Sequence, residues 1–266
     1  MIKTAIHAAL KGSEILRENF GKIRSQDIRQ KSANDFLTFV DEKTEAKIIE
    51  IIHSEYPEHA IIAEESGKDK RQSAYEWIID PLDGTKNYIS GIPVFGISIA
   101  LRYNGKMQLG VVLDPIRNDL FHAEHGKGAF LNRASIRVSE RETLKGAFLA
   151  TGFPFKYLAH MHQYMNSFEK IFEYASGVRR MGAAAIDLAY VAAGRFDGFW
   201  EIGLSPWDVA AGSILIREAG GKITDFWGAD RYIDNTFTLA SNGKFHTEFQ
   251  NIVGKHFTDS TLIKSV

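Results

Sequence analysis

The chain has no cysteine among its 266 residues, which excludes disulfides, zinc–thiolate sites, iron–sulfur clusters and thiol nucleophiles. Any metal it holds must be bound by oxygen or imidazole. Proline is scarce at 6 residues, while hydrophobic residues reach 44% and charged ones 24%; this is globular composition rather than fibrous or disordered. No apolar run approaches the roughly 18 residues of a membrane span. The first twenty residues carry Lys3, Glu14, Arg17 and Glu18 in place of a signal-peptide core, so the chain is expected in the cytoplasm with no membrane partner. An excess of one charge is also missing. The 32 Lys+Arg against 33 Asp+Glu leave a net charge of -1, which offers no global field for nucleic acid.

Several catalytic signatures are absent as well. There is no Gly-rich loop ending in Gly-Lys-Ser/Thr, and Gly126-Lys127-Gly128 lacks the third glycine of a dinucleotide fingerprint, so it reads as a turn. Ser205 is followed by Pro206 and Trp207, which rules out a nucleophile elbow. His160 and His162 would share one side of an extended segment, but two histidines alone read as solvated surface.

The apolar pattern organises the rest. Ile2, Ala5, Ile6, Ala9, Ser13, Leu16 and Phe20 recur at helical spacing and stop at Gly21. A second helix is predicted from Asp41 through Ala46, Ile49 and Ile52 to Pro57. Ala60–Ala63 and Trp77–Ile79 are short, consecutive apolar runs suited to strands covered on both faces. Val94–Tyr103 and Met107–Leu113 flank Asn104-Gly105, the signal of a type I′ hairpin. Strands at Leu120–Ala123, Ala129–Leu131 and Ile136–Val138 follow. From about residue 140 strands and helices alternate: strands at Ala147–Ala150, Val178–Met181, Phe196–Ile202, Lys222–Asp225 and Thr238–Ala240, helices near His162–Tyr174, Ala184–Ala193, Trp207–Ala219 and Phe245–His256. The expectation is an α+β half over 1–140, an α/β half over 141–257, and a frayed tail over 258–266.

Chemistry concentrates in Ile78-Ile79-Asp80-Pro81-Leu82-Asp83-Gly84-Thr85, a buried strand that ends in two carboxylates, where α/β folds place their sites. Two ionised carboxylates at about 4 Å repel by about 4 kcal/mol at an effective dielectric near 20. No Lys or Arg lies between Asp80 and Thr85, so a hard divalent cation held by oxygens, Mg²⁺ above all, is the economical partner. Pro81 fixes the backbone and could aim the Leu82 carbonyl at the same ion. Gly84-Thr85 would present amides to a phosphate if a helix begins there. Taken alone, an Asp-Pro turn followed by an Asp helix cap explains the same residues.

Two more segments weigh against that plainer account: Ala63-Glu64-Glu65-Ser66 after a strand, and Trp207-Asp208-Val209-Ala210-Ala211-Gly212 with Glu218-Ala219-Gly220-Gly221. In this order the three resemble the inositol monophosphatase family. The likeness runs from Lys31-Ser32-Ala33-Asn34-Asp35 through Gly182-Ala183-Ala184-Ala185 to the last glycines, and the segments 150–155 and 187–195 are most similar to its bacterial SuhB-type branch. The resemblance implies a layered αβαβα sandwich, a homodimer, and a Mg²⁺-dependent, lithium-sensitive phosphomonoesterase acting on a small phosphorylated polyol, without a covalent intermediate. It further implies that Glu64, Asp80 and the Leu82 carbonyl hold one Mg²⁺, and that Asp80, Asp83 and Asp208 hold a second. Glu64 would help with a third. Thr85, backed by Asp41, would orient the attacking water, the Gly84 and Thr85 amides would hold phosphate, and Asp83, Ala184 and Glu201 would meet the alcohol.

Two positions depart from the family pattern. Lys86 stands where many members have threonine, as in relatives that act on histidinol phosphate or 3′-phosphoadenosine 5′-phosphate; Ala183 stands where Thr or Ser is usual. Fructose 1,6-bisphosphate is a further alternative, while Glu201 and the SuhB-type flanks favour inositol monophosphate. The SuhB-type likeness also implies a second class of role, contact with NusA and RNA polymerase in transcription antitermination, for which Arg179-Arg180 offers a surface.

Overall fold

The computed structural model describes residues 1–32 and 35–257. The N-terminal helix α1 (Ile2–Asn19) leads to a hairpin of β1 (Ile28–Ser32) and β2 (Asp35–Thr38), and then to α2 (Phe39–Glu55). Next come β3 (Ala60–Ala63), the short β4 (Gly67–Lys68), β5 (Tyr75–Asp83), the one-turn α3 (Thr85–Ile89), β6 (Gly96–Tyr103), β7 (Lys106–Asp114), β8 (Asp119–Glu124), β9 (Ala129–Leu131) and β10 (Ala134–Ile136). The remainder alternates: β11 (Phe148–Thr151), α4 (Met161–Phe172), β12 (Gly177–Arg179), α5 (Ala184–Ala192), β13 (Gly198–Ile202), α6 (Pro206–Glu218), β14 (Lys222–Thr224), β15 (Phe237–Ser241) and α7 (His246–Gly254).

Strands β3–β10 form one eight-stranded sheet in the order β10-β9-β8-β7-β6-β5-β3-β4, and β11–β15 form a second in the order β12-β11-β13-β15-β14. Helices α1 and α2 cover one face of the large sheet; α5 and α6 cover the other and also pack on the small sheet. The outer face of the small sheet carries α4 and α7, whose Tyr164, Ile171, Phe249 and Val253 join Leu149, Trp200 and Leu239 in one core cluster. The result is the expected αβαβα sandwich. Its middle layer explains the sequence there: every residue of α5 is buried, as is the run Val209–Ile216 of α6, because a helix between two sheets has no solvent face. Gly212 lets α5 and α6 approach, since a Cβ there would lie 2.5 Å from that of Leu188.

The Asn104-Gly105 hairpin is present, with φ of 47° and 78° and Tyr103 opposite Lys106, as a type I′ turn requires. Other boundaries differ from expectation. Helix α2 starts before Asp41, at Phe39, because Thr38 takes the cap and Asp41 the reciprocal position three residues on. The strand predicted at Ile136–Val138 lies at Ala134–Ile136, in register with Ala129–Leu131. His160 closes a 3₁₀ turn and His162 lies in α4, so the two do not share an extended segment. The β1–β2 hairpin was not anticipated; Ala33 and Asn34, and the predicted tail over 258–266, lie outside the described residues.

Candidate functional site

Strand β5 pairs with β6 in antiparallel register until Asp80 faces Ser98, and pairing resumes only where Asp83 faces Gly96. The interruption is a bulge, which re-aims side chains, and Pro81 tolerates it because it has no N–H to give the ladder. Asp80 and Asp83, on either side of the bulge, are both buried. The Leu82 amide donates to Asp80 Oδ1 at 2.9 Å, while the Leu82 side chain packs into the core under α1 and α2. Gly84 then turns at φ +92°, a conformation that suits glycine, and starts α3.

Asp208 arrives on α6, between the two sheets. It occupies the third position of α6 and accepts the Ser205 amide at 2.6 Å, and the Ser98 hydroxyl pins this helix start by donating to the Trp207 carbonyl at 2.9 Å. One oxygen each from Asp80, Asp83 and Asp208 lie within 4.8 Å of one another. Glu64, at the end of β3, places its carboxyl within hydrogen-bonding reach of Asp80. Burial, and then the charges of Glu64, Asp83 and Asp208, drive the Asp80 carboxyl well above its ordinary range. Burial likewise pushes Asp83 up to about 7. Asp80 is thus surrounded by the charges of three other acids, an arrangement that a cation would relieve. With oxygen as the only donor, the cluster suits a hard divalent ion, so it could hold metal.

Beside it, the Thr85 hydroxyl lies 3.2 Å from Asp41 Oδ1 and 3.0 Å from the Leu82 carbonyl. Asp41 is fixed in turn, its Oδ2 accepting from the Thr38 amide at 2.8 Å and the Thr38 hydroxyl at 2.6 Å. Asp83 also joins β5 to α5, accepting from the amides of Ala184 at 3.2 Å and Ala185 at 2.7 Å. It thus supplies the cap that Ala183, with no hydroxyl, cannot give α5.

A cavity of about 160 Å³ is lined by Asp83, Asp208, Ala184 and Glu201 together with Lys86, Lys156 and Arg180. The Lys86 ammonium lies 5.4 Å from the Phe36 ring and 5.5 Å from that of Phe155. Burial pushes Glu201 up to about 8, against the favourable charge of Arg180. The structure therefore brings together every residue singled out for the site: Glu64, Asp80, Leu82, Asp83, Gly84 and Thr85 with Asp41, and Ala184, Glu201 and Asp208. Of the arginine pair, Arg180 turns to this cavity, whereas Arg179 lies over the Phe148 ring at 4.8 Å. A larger cavity of about 540 Å³ lies between the β6–β7 turn and α6. Its cations Arg102 and Arg217 already face Glu76 and Asp230, so size alone does not make it the site.

The profile of the inositol monophosphatase family matches residues 1–257. The chain belongs to this family. It is 47% identical over 243 residues to the Nus factor SuhB of Escherichia coli (strain K12), covering 91% of each chain. Its fold superposes with a TM-score of 0.92 on the extragenic suppressor protein suhB of Bartonella henselae, at 38% identity over 96% of this chain and 98% of that one. The inositol monophosphatase from Anabaena (Nostoc) sp. PCC 7120 gives a TM-score of 0.84 at 39% identity, over 95% and 94% of the two chains.

Three residues that sequence reasoning missed support the site. Glu45 of α2 accepts the amides of Glu65 and Ser66. Gly152 lies under Glu201, where a Cβ would be 1.9 Å from its carboxyl carbon. Asp187 is buried on α5 with Oδ1 unpartnered among the described residues. No local motif marks the first; the second and third lie in segments 150–155 and 187–195, which carried the family likeness without pointing to a site role.

Proposed function

We propose that the chain is a Mg²⁺-dependent phosphomonoesterase that hydrolyses myo-inositol monophosphate. The observation that carries this is the convergence of Asp80, Asp83 and Asp208 within 4.8 Å, next to Glu64 and a Thr85 hydroxyl held by Asp41. Glu64, Asp80 and the Leu82 carbonyl would hold one Mg²⁺, Asp80, Asp83 and Asp208 a second, and Glu64 would contribute to a third. When bound, the ions supply charge neutralisation on the phosphoryl oxygens, acidification of the attacking water and stabilisation of the leaving alkoxide.

The protein's own groups do the rest. The Thr85 hydroxyl has acceptors in Asp41 Oδ1 and the Leu82 carbonyl, so its single proton is taken on that side and its lone pairs are left to receive a water proton. That fixes where the nucleophile stands. The Gly84 and Thr85 amides face the phosphate at the start of α3. Ala184 gives its amide to Asp83 and walls the alcohol pocket, while Glu201 meets a substrate hydroxyl there. No side chain takes the phosphoryl group, so no covalent intermediate forms. The division at about residue 140 belongs to the same proposal: most cation ligands come from the first half, Asp208 and Glu201 from the second. A homodimer in the cytoplasm completes it; among the described residues no helix is long and apolar enough to cross a membrane.

The test is phosphate release with Mg²⁺, with and without lithium, from inositol 1-phosphate, fructose 1,6-bisphosphate, histidinol phosphate and 3′-phosphoadenosine 5′-phosphate. Inositol 1-phosphate should be the best substrate and lithium should inhibit. Preference for another member of the panel would overturn the substrate but not the cation site.

A second role is favoured by relatives named Nus factor SuhB: contact with NusA and RNA polymerase, for which Arg179 offers an exposed cation. A pull-down against NusA, beside complementation by an inactive Asp83→Asn, separates the two. Complementation by the inactive protein would make binding the main role; its loss together with activity would remove that role.

A further inference from the structure

Between β3 and β4 the chain reverses through Glu64, Glu65 and Ser66, whose amides all need acceptors. The Glu64 amide donates to the Ile79 carbonyl of β5 at 3.2 Å. The next two go to one side chain: Glu65 N–H to Glu45 Oε2 and Ser66 N–H to Glu45 Oε1, both at 2.8 Å. Glu45 is only 3% exposed, and a carboxylate that deep requires such donors. The backbone on either side of Glu64 is thus fixed, by β5 before it and by Glu45 after it, which sets the direction in which its side chain leaves.

Four residues earlier on α2 stands Asp41, on the same helix face as Glu45, with its Oδ1 at 3.2 Å from the Thr85 hydroxyl. One helix face therefore reaches the loops after β3 and β5 through two buried carboxylates. The helix itself is held close against α1 and the sheet. Gly12 makes the room: a Cβ there would meet Ile97 at 2.9 Å and Thr44 at 3.0 Å.

We propose that Glu45 is a positioning residue that sets Glu64 for the cation site, so that α2 governs cation affinity from outside the ligand set. This rests on the cation reading of the acidic cluster. Residues behind the direct ligands commonly change metal affinity ten- to a hundredfold, whereas a role confined to holding the turn together would lower stability and leave the affinity of folded protein unchanged.

The experiment is calorimetric titration of the full chain with MgCl₂ at pH 7.5, alongside melting temperatures, for wild type, Glu45→Gln, Glu45→Asp and Asp80→Asn. The Gln side chain keeps the shape but turns an NH₂ toward one of the two amides, and Mg²⁺ should bind about tenfold more weakly. Asp keeps the charge but is too short to span both amides and should also bind more weakly. A Glu45→Gln dissociation constant within twofold of wild type overturns the proposal whatever happens to stability; if that variant does not fold, Glu45→Asp is judged by the same criterion. Wild type that binds no Mg²⁺ overturns the cation reading and the proposal with it. Wild-type binding lost in Asp80→Asn but unchanged at Glu45 overturns the proposal alone.

Discussion

The carboxylate of Asp83, at the end of β5, accepts the Ala185 amide at 2.7 Å and so joins the large sheet to the helix between the two sheets. The same carboxylate contributes to the acidic cluster. A residue with both duties is buried at a cost, and burial raises it to about 7; the amides of Ala185, Ala184 and Ile186, which lower it, offset only part of that.

Asp83→Asn separates the duties. The amide oxygen can still accept one N–H, but the charge that attracts a cation is gone. Turnover should fall by at least about a hundredfold and the Mg²⁺ needed for half-activity should rise, by the scale of losing a direct ligand. The melting temperature without metal should change by no more than a few degrees, because repulsion with Asp80 and Glu64 is relieved as the cap weakens. Activity within a fewfold of wild type at ordinary Mg²⁺ would remove Asp83 from the ligand set.

Gly84 is the joint between Asp83 and Thr85. Its φ of +92° strains any side chain, and a Cβ would stand 3.0 Å from the Val94 carbonyl and 3.2 Å from the Ala183 Cβ. Gly84→Ala should therefore destabilise by about 1–3 kcal/mol and reduce turnover by shifting both neighbours. A thermal melt coincident with wild type would show that the turn tolerates a side chain and that Gly84 imposes no geometry.

Much of this arrangement was legible because it is local. Ile78–Ile79 running into Asp80 and Asp83, and Trp207-Asp208 opening an apolar helix, declare strand ends and helix starts within a few residues. Glu45 was not legible: between Thr44 and Ala46 on an amphipathic helix it looks like solvated charge, and its partners are backbone amides 20 and 21 residues away. The β1–β2 hairpin escaped notice for the opposite reason. Arg29 and Gln30 are exposed and bury too little apolar surface to show a strand period. At Ile136, strand placement was decided by pairing with β9, which the alternation of Ile136 and Val138 about Arg137 does not specify.

Gly152 tests the role of Glu201. A methyl group there would overlap the Glu201 carboxyl, 1.9 Å from Cδ and Oε1, and that carboxyl is the far end of a flexible side chain that can move away. Gly152→Ala should fold, displace Glu201 from the cavity, and raise KM for inositol 1-phosphate by about 1 kcal/mol, or roughly fivefold, as for one lost hydrogen bond. Hydrolysis of p-nitrophenyl phosphate, which has no hydroxyl to present, should stay within twofold. Equal losses on both substrates would mean that Glu201 does not read the alcohol.

A final prediction concerns stability far from the site. His246 is fully buried, with Nε2 at 2.9 Å from the Thr224 hydroxyl and Nδ1 at 2.9 Å from that of Ser241. Thr224 sends its own proton to the Asp225 carbonyl at 2.7 Å, so Nε2 donates to Thr224 and Nδ1 accepts from Ser241. The neutral ring uses both nitrogens, and burial lowers its pKa to about 4. An unfolded histidine takes up its proton near pH 6.5. Between these values the unfolded chain holds the extra proton, so acidification from about pH 6.5 to 4 removes about 3 kcal/mol of stability that is fully present above that window. The carboxyls of Asp83 and Glu201, raised to about 7 and 8, act in the opposite sense, so the comparison must be made between variants. In urea denaturation, wild type should exceed His246→Gln by a margin that shrinks by roughly 2–3 kcal/mol between pH 7.5 and pH 4.5. A margin independent of pH would mean that the ring takes up its proton equally readily in the native and unfolded chains, and the donor and acceptor roles given to Thr224 and Ser241 would be wrong.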